Sequence, residues 1–166
     1  MTAERGKHHP RRRPVSRTGA ATISLTVERD LSFVDTNVLV YAFEKSGSPK
    51  KRIAQRLINE LMDEDRLRVS TQVLQELFVT LTRKVSQPCS NEEALAVLED
   101  LTAWPVMAID YAAIRAAVRL ASQAKLSFWD ALVVVAAART GAAVLYTEDL
   151  NHGQEILGVR ISNPFV

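Results

Sequence analysis

"FVDTNVLVYAF" (Phe33–Phe43) is the stretch whose reading decides the fold. An apolar run ends in Asp35-Thr36-Asn37, and a second apolar run starts at once with Val38. Leu31–Asp35 reads as a short β-strand, which puts Asp35 at its carboxyl end. A side chain there leaves the core and faces whatever lies beyond the strand.

Working outward, the periodicity alternates. Pro49 opens a helical pattern with Ile53, Leu57, Ile58 and Leu61 on one face. Leu67–Ser70 is a second strand. Val73, Leu74, Leu77, Phe78 and Leu81 then recur at helical spacing until Pro88. Ser90 and Glu93 have capping-box spacing for a further helix, with Leu95, Leu98 and Leu101 inside. Pro105–Ile109 is a third strand, and Asp110 an N-cap for a helix bearing Ile114, Ala117, Val118 and Ala121. Ser127–Arg139 is apolar on all sides over "ALVVVAAA", so this helix is expected to be buried. Gly141 ends it. Ala142–Thr147 is a fourth strand, and Val159–Ser162 a fifth at an edge. Helices between nearly every pair of strands predict an α/β protein: a three-layer α/β/α sandwich with a mainly parallel four- to five-stranded sheet. Ligands of such folds bind beyond the carboxyl ends of the strands.

Composition narrows the class. The chain has 166 residues, 47% of them hydrophobic, enough for one domain with a proper core. Its single cysteine, Cys89, allows no internal disulfide and offers no zinc-type spacing, which suits a reducing cytoplasm. No apolar run reaches the roughly 18–20 residues that cross a bilayer, so no membrane partner is expected. The first twenty residues carry net +5 against +2 for the whole chain, leaving the rest at −3. The division expected is a basic extension over 1–30, read as a disordered solvated tail rather than a nucleic-acid arm, and a domain over 31–166. The arm holds nothing aromatic for stacking.

Four carboxylates stand at informative places. Asp35 and Asp149 follow the first and fourth strands. Glu76 borders the apolar stripe of its helix, and Asp130 lies in the first turn of the buried helix. Each has an ordinary reading taken singly: Asp35 as a helix cap, Asp130 as half of a Ser127/Asp130 capping box, Glu76 on a helix surface, Asp149 in a loop beside a solvent-facing Glu148. Jointly those readings weaken, because three of the acids abut segments too apolar to be solvated, and buried carboxylates need partners. No basic residue adjoins Asp35 or Asp130 in sequence. A divalent cation is the simplest partner, and an all-oxygen set points to Mg²⁺, with Mn²⁺ as the alternative.

The four pieces "FVDTNVLVYAF", "TQVLQELFVTLTRK", "LSFWDALVVVAAA" and "LYTEDLNHG", in that order, span nearly all of residues 32–153. In them the chain resembles a PIN-domain protein, specifically a VapC-type toxin ribonuclease of a type II toxin–antitoxin system. The resemblance places the family's catalytic acids on Asp35, Glu76, Asp130 and Asp149. Asn37 matches the amide that orients the first carboxylate, and Thr147 the hydroxyl two residues before the last. It implies Mg²⁺-dependent endonucleolytic cleavage of RNA by activated water, a homodimer, and inhibition by a small antitoxin. Asp35, Asp130 and Asp149 are then the expected metal ligands. Glu76 would act through water, with Asn37 and Thr147 holding waters or carboxylates. The basic extension before Leu31 is the departure from the family.

Arg83, two turns after Glu76, is a candidate RNA contact. Trp129 is read as core packing, His152 as a loop residue, and Tyr41 and Phe43 as packing residues or part of a dimer surface. Two other classes compete. One is a catalytically inactive PIN-fold module that binds RNA or protein, against which the four filled acid positions argue. The other is a receiver-like domain with Asp35 as phosphoacceptor, which has no use for Asp130 and Asp149.

Overall fold

The computed structural model describes residues 30–45 and 47–166. The expected basic extension therefore falls, but for Asp30, outside the described residues. Among the described residues six strands form one sheet in the order β3-β2-β1-β4-β6-β5. They are β1 (Ser32–Val34), β2 (Leu67–Ser70), β3 (Val106–Met107), β4 (Val144–Tyr146), β5 (Glu155–Ile156) and β6 (Val159–Ser162). The helices are α1 (Thr36–Phe43), α2 (Pro49–Asp63), α3 (Thr71–Arg83), α4 (Asn91–Leu101), α5 (Tyr111–Ala124) and α6 (Phe128–Arg139).

β1 through β4 and β6 pair in parallel, and only the β5–β6 hairpin is antiparallel. The chain steps outward from β1 to β2 to β3, then returns to the other side of β1 with β4 and β6. Right-handed crossovers place α1–α4 on one face of the sheet and α5–α6 on the other. The main helix contacts agree: α1 meets α2 and α3, α3 meets α4, and α5 meets α6. β1 is central and buried on both faces, with Ser32, Phe33 and Val34 all at 0% exposure, which is why it reads as a continuous apolar run.

Local chemistry sets the element ends. Ser90 and Glu93 form the reciprocal capping box at α4, and Asp110 caps α5 through the Ala113 N–H. Ser127 caps α6, whose residues Ala131 to Ala137 are all buried. No single helix among the described residues is long and apolar enough to cross a membrane.

The sheet has one strand more than expected: Val159–Ser162 (β6) is not the edge but lies between β4 and the two-residue β5, which forms the edge instead. The inward face of α5 is also one position off the expected stripe. Ala113, Ala117 and Leu120 are buried, while Ile114 and Val118 are 39% and 53% exposed. Small alanines let α5 lie close on α6, and the larger neighbours are left at the margin. In α4 the buried positions are Ala94 and Leu101, and Leu95 is 52% exposed rather than inside.

Candidate active site

The sheet order changes direction at β1, between β2 and β4, and crevices form at such switch points. The register pairs Val34 with Tyr146, so the residues that follow these strands come together. The Asp35 N–H donates to the Tyr146 carbonyl at 3.0 Å, and Thr147 Oγ1 donates to Asp35 Oδ2 at 2.8 Å. Asn37 is the second residue of α1, in its first turn. Its Nδ2 donates to Asp35 Oδ2 at 3.2 Å, to Asp149 Oδ2 at 2.8 Å and to Thr147 Oγ1 at 3.0 Å. One amide nitrogen therefore ties both carboxylates together. The same side chain accepts from the Glu148 N–H through Oδ1, and the Asp149 N–H donates to Thr147 Oγ1.

Asp35 is 8% exposed and also caps α1 through the Thr36 N–H at 2.7 Å. Capping and membership of a carboxylate cluster coexist at this residue. Burial pushes its pKa from the ordinary 3.8 up to about 6. The Thr147 and Thr36 hydrogen bonds pull it down, and the charges of Asp149 and Glu76 push it further up.

Glu76 and Asp130 line the same cleft, of about 680 Å³, from α3 and from the start of α6. Glu76 Oε1 accepts from Gln72 Nε2 at 2.9 Å, and Oε2 accepts from Thr36 Oγ1 at 3.3 Å. Asp130 is held in a reciprocal cap: its N–H donates to Ser127 Oγ at 3.1 Å, and that hydroxyl donates to Asp130 Oδ2 at 2.7 Å. The cleft thus gathers all four acids with Asn37; Thr147 stands behind the Asp35–Asp149 pair.

Arg83 is exposed at the last turn of α3 and does not line the cleft; its neighbour Lys84 does. Trp129 is not core. It is 59% exposed and lines the cleft beside Asp130. Phe128 takes the half-buried position instead, and the next helical residue points outward by geometry. His152 is not among the residues lining the cleft and accepts the Asn163 N–H at Nδ1.

Glu148 is not solvent-facing as expected. It forms an ion pair with Lys50 and accepts from the Tyr41 hydroxyl at 2.9 Å. The Lys50 ammonium also lies 4.7 Å from the centre of the Tyr41 ring and 5.0 Å from that of Phe165. Two cation–π contacts and a half-buried pair thus pin the loop that carries Asp149. Lys50→Met is expected to cost about 1 kcal/mol, lowering the melting temperature by roughly 3 °C. An unchanged melting curve would show that solvent screens the whole cluster.

The donor set fits a hard divalent cation. Every candidate ligand is oxygen, and Lys84 is the single cation among the cleft-lining residues against four carboxylates. No three acidic, histidine or cysteine side chains among the described residues meet at one point. Asp35, Asp130 and Asp149, the expected metal ligands, therefore line one cleft without converging on a single point. Gln72 Oε1 lines this cleft, is buried and has no hydrogen-bond partner among the described residues.

A sequence profile described as the PIN domain matches residues 32–154. No curated protein sequence matches the chain. Among solved structures, a toxin–antitoxin complex from Klebsiella pneumoniae is similar at 20% identity and TM-score 0.60, covering 80% of this chain and 97% of that one. DNA-bound VapBC from Salmonella typhimurium matches at 21% identity and TM-score 0.58, covering 82% and 99%. VapC20 of Mycobacterium tuberculosis, described as a sarcin-ricin loop cleaving toxin, matches at 21% and 0.57, covering 71% and 89%. At these identities the likeness concerns the fold.

Proposed function

The chain belongs to the PIN-domain family, and from that premise we propose that it is a Mg²⁺-dependent endoribonuclease, the toxin of a toxin–antitoxin pair. PIN domains are typically nucleases and generally metal-dependent. The observation that carries the reading is the pair Asp35 and Asp149, bridged by the Asn37 amide in a cleft with two further acids.

Asp35 and Asp149 would hold the cation, with Asp130 on the same ion or a second one. When bound, the cation makes hydroxide available from water near neutral pH and offsets charge on the leaving oxygen. Asn37 and Thr147 hydrogen-bond Asp35, and Asn37 also Asp149, and so would orient both carboxylates toward the ion. Glu76, held by Gln72 and Thr36, orients the attacking water. Lys84 takes a phosphate at the cleft wall, and exposed Arg83 extends that basic edge along the RNA backbone.

A second copy of the chain and a small antitoxin are the protein partners this reading gives, in the cytoplasm. They rest on the resemblance and on the toxin–antitoxin complexes among the similar structures. Expression without an antitoxin is expected to arrest growth, with discrete fragments of one RNA species on a gel of total RNA. Unaffected growth and intact RNA at a high protein level would contradict the proposal.

A further inference from the structure

We propose that Trp129 is the stacking platform for an unpaired base of the RNA, next to the carboxylates. The inference rests on the ribonuclease reading for calling that RNA a substrate.

The argument starts from charge. The cleft lining carries four carboxylates and one lysine, so its floor repels a phosphodiester. Cations offset that repulsion at the reacting phosphate but give little grip on the neighbouring nucleotides. Grip has to come from an uncharged contact, and the cleft has an apolar wall. Trp129 at 59% and Val79 at 38% exposure are two of the few large hydrophobic residues left open to solvent, and both line this cleft.

The ring has an aromatic neighbour on one side. Trp129 meets Phe128 edge-on, with centroids 5.1 Å apart and planes at 69°. It follows Ser127, the cap of α6, so its backbone sits in a fixed first turn. An exposed aromatic face one residue from Asp130 offers what an unpaired base needs, a π surface that accepts any base. A base inside an A-form duplex cannot reach it, because its faces are covered by its neighbours. The platform therefore selects single strands, loops and bulges.

The test titrates the full chain, wild type, Trp129→Phe and Trp129→Ala, in Ca²⁺, which offsets the charge of the four carboxylates during the titration. The probes are a fluorescein-labelled ten-nucleotide single-stranded RNA and a blunt duplex of the same sequence. Trp129→Ala is expected to bind the single strand about 5- to 150-fold more weakly, and Trp129→Phe to recover most of the loss. Single-stranded RNA quenches wild-type tryptophan fluorescence, and Trp129→Phe, which keeps Trp104, loses that quench. Trp129→Ala leaves the salt slope of binding unchanged, whereas Lys84→Ala lowers it by about 0.7 for one lost phosphate contact. Equal binding by all three proteins, a quench that survives in Trp129→Phe, or absence of single-strand binding overturns the proposal. The same RNA is then incubated with wild type and Mg²⁺. Binding and quenching without cleavage support the platform and reject the ribonuclease reading, so the two failures are told apart.

Discussion

Asp35→Asn is expected to cut Mg²⁺-dependent RNA cleavage by at least about 100-fold, since even the outer partners of metal ligands are worth 10–100-fold. The same variant is expected to melt higher than wild type in the absence of metal. Asp35 is 8% exposed, and its ionised form faces Asp149 and Glu76 without a cation. The amide keeps the shape and removes the charge. Oδ1 still caps the Thr36 N–H, while the bonds that Oδ2 accepts from Thr147 and Asn37 are lost, a cost the removed charge has to outweigh. Asn37 Nδ2 keeps its bonds to Asp149 and Thr147. Gain of stability with loss of activity is the signature of a group retained for chemistry. Thermal melting with EDTA and cleavage with Mg²⁺ measure the two sides. A variant that melts lower and cleaves normally would make Asp35 a helix cap alone.

Metal-free wild type is expected to lose stability as the pH rises from about 4 to about 6, and to regain it with Mg²⁺ at neutral pH. The Asp35 pKa is raised on folding, from 3.8 to about 6. Between these values the folded chain holds a proton that the unfolded chain has released, so stability falls with rising pH. The full difference is at most about 3 kcal/mol, reached above pH 6. At roughly 3 °C per kcal/mol this lowers the melting temperature by up to about 9 °C. Asp110 and Glu93, whose pKa values are lowered by hydrogen bonds to Ala113 and Lys45 respectively, act in the opposite sense below that window, and both are exposed. Mg²⁺ at 100 times its Kd adds about 2.7 kcal/mol. That gain shrinks at pH 5, where protonation of Asp35 competes. A flat melting profile from pH 4 to 6, or an equal Mg²⁺ effect at pH 5 and 7.5, would contradict the account of the site.

Much of the site was legible because strand ends and caps are local. Asp35 and Asp149 follow short apolar runs, and Ser127-x-x-Asp130 announces a helix start. The sheet order then does what sequence cannot, pairing β1 with β4 so that Asn37 reaches across more than a hundred residues. Three features escaped. β5 is two residues long, and its hairpin turns through Leu157 and Gly158, both at positive φ (53° and 76°). Leucine at the first position hides the Asn-Gly signal such turns usually carry. Trp129 followed one aromatic with another at a helix start, and only the packing of Phe128 decides which of them faces solvent. The Glu148–Lys50 pair joins residues far apart in the chain, with no periodicity to relate them.

The most direct test of the central claim is the chemistry of the cut ends. End-labelled single-stranded RNA is incubated with wild type and Asp149→Asn, in Mg²⁺ and in EDTA. The account predicts 5′-phosphate and 3′-hydroxyl products from wild type in Mg²⁺ only, and continued cleavage when the 2′-hydroxyl at the cut site is replaced by hydrogen. Cleavage that persists in EDTA, or 2′,3′-cyclic phosphate ends, would contradict a carboxylate-held metal and activated water.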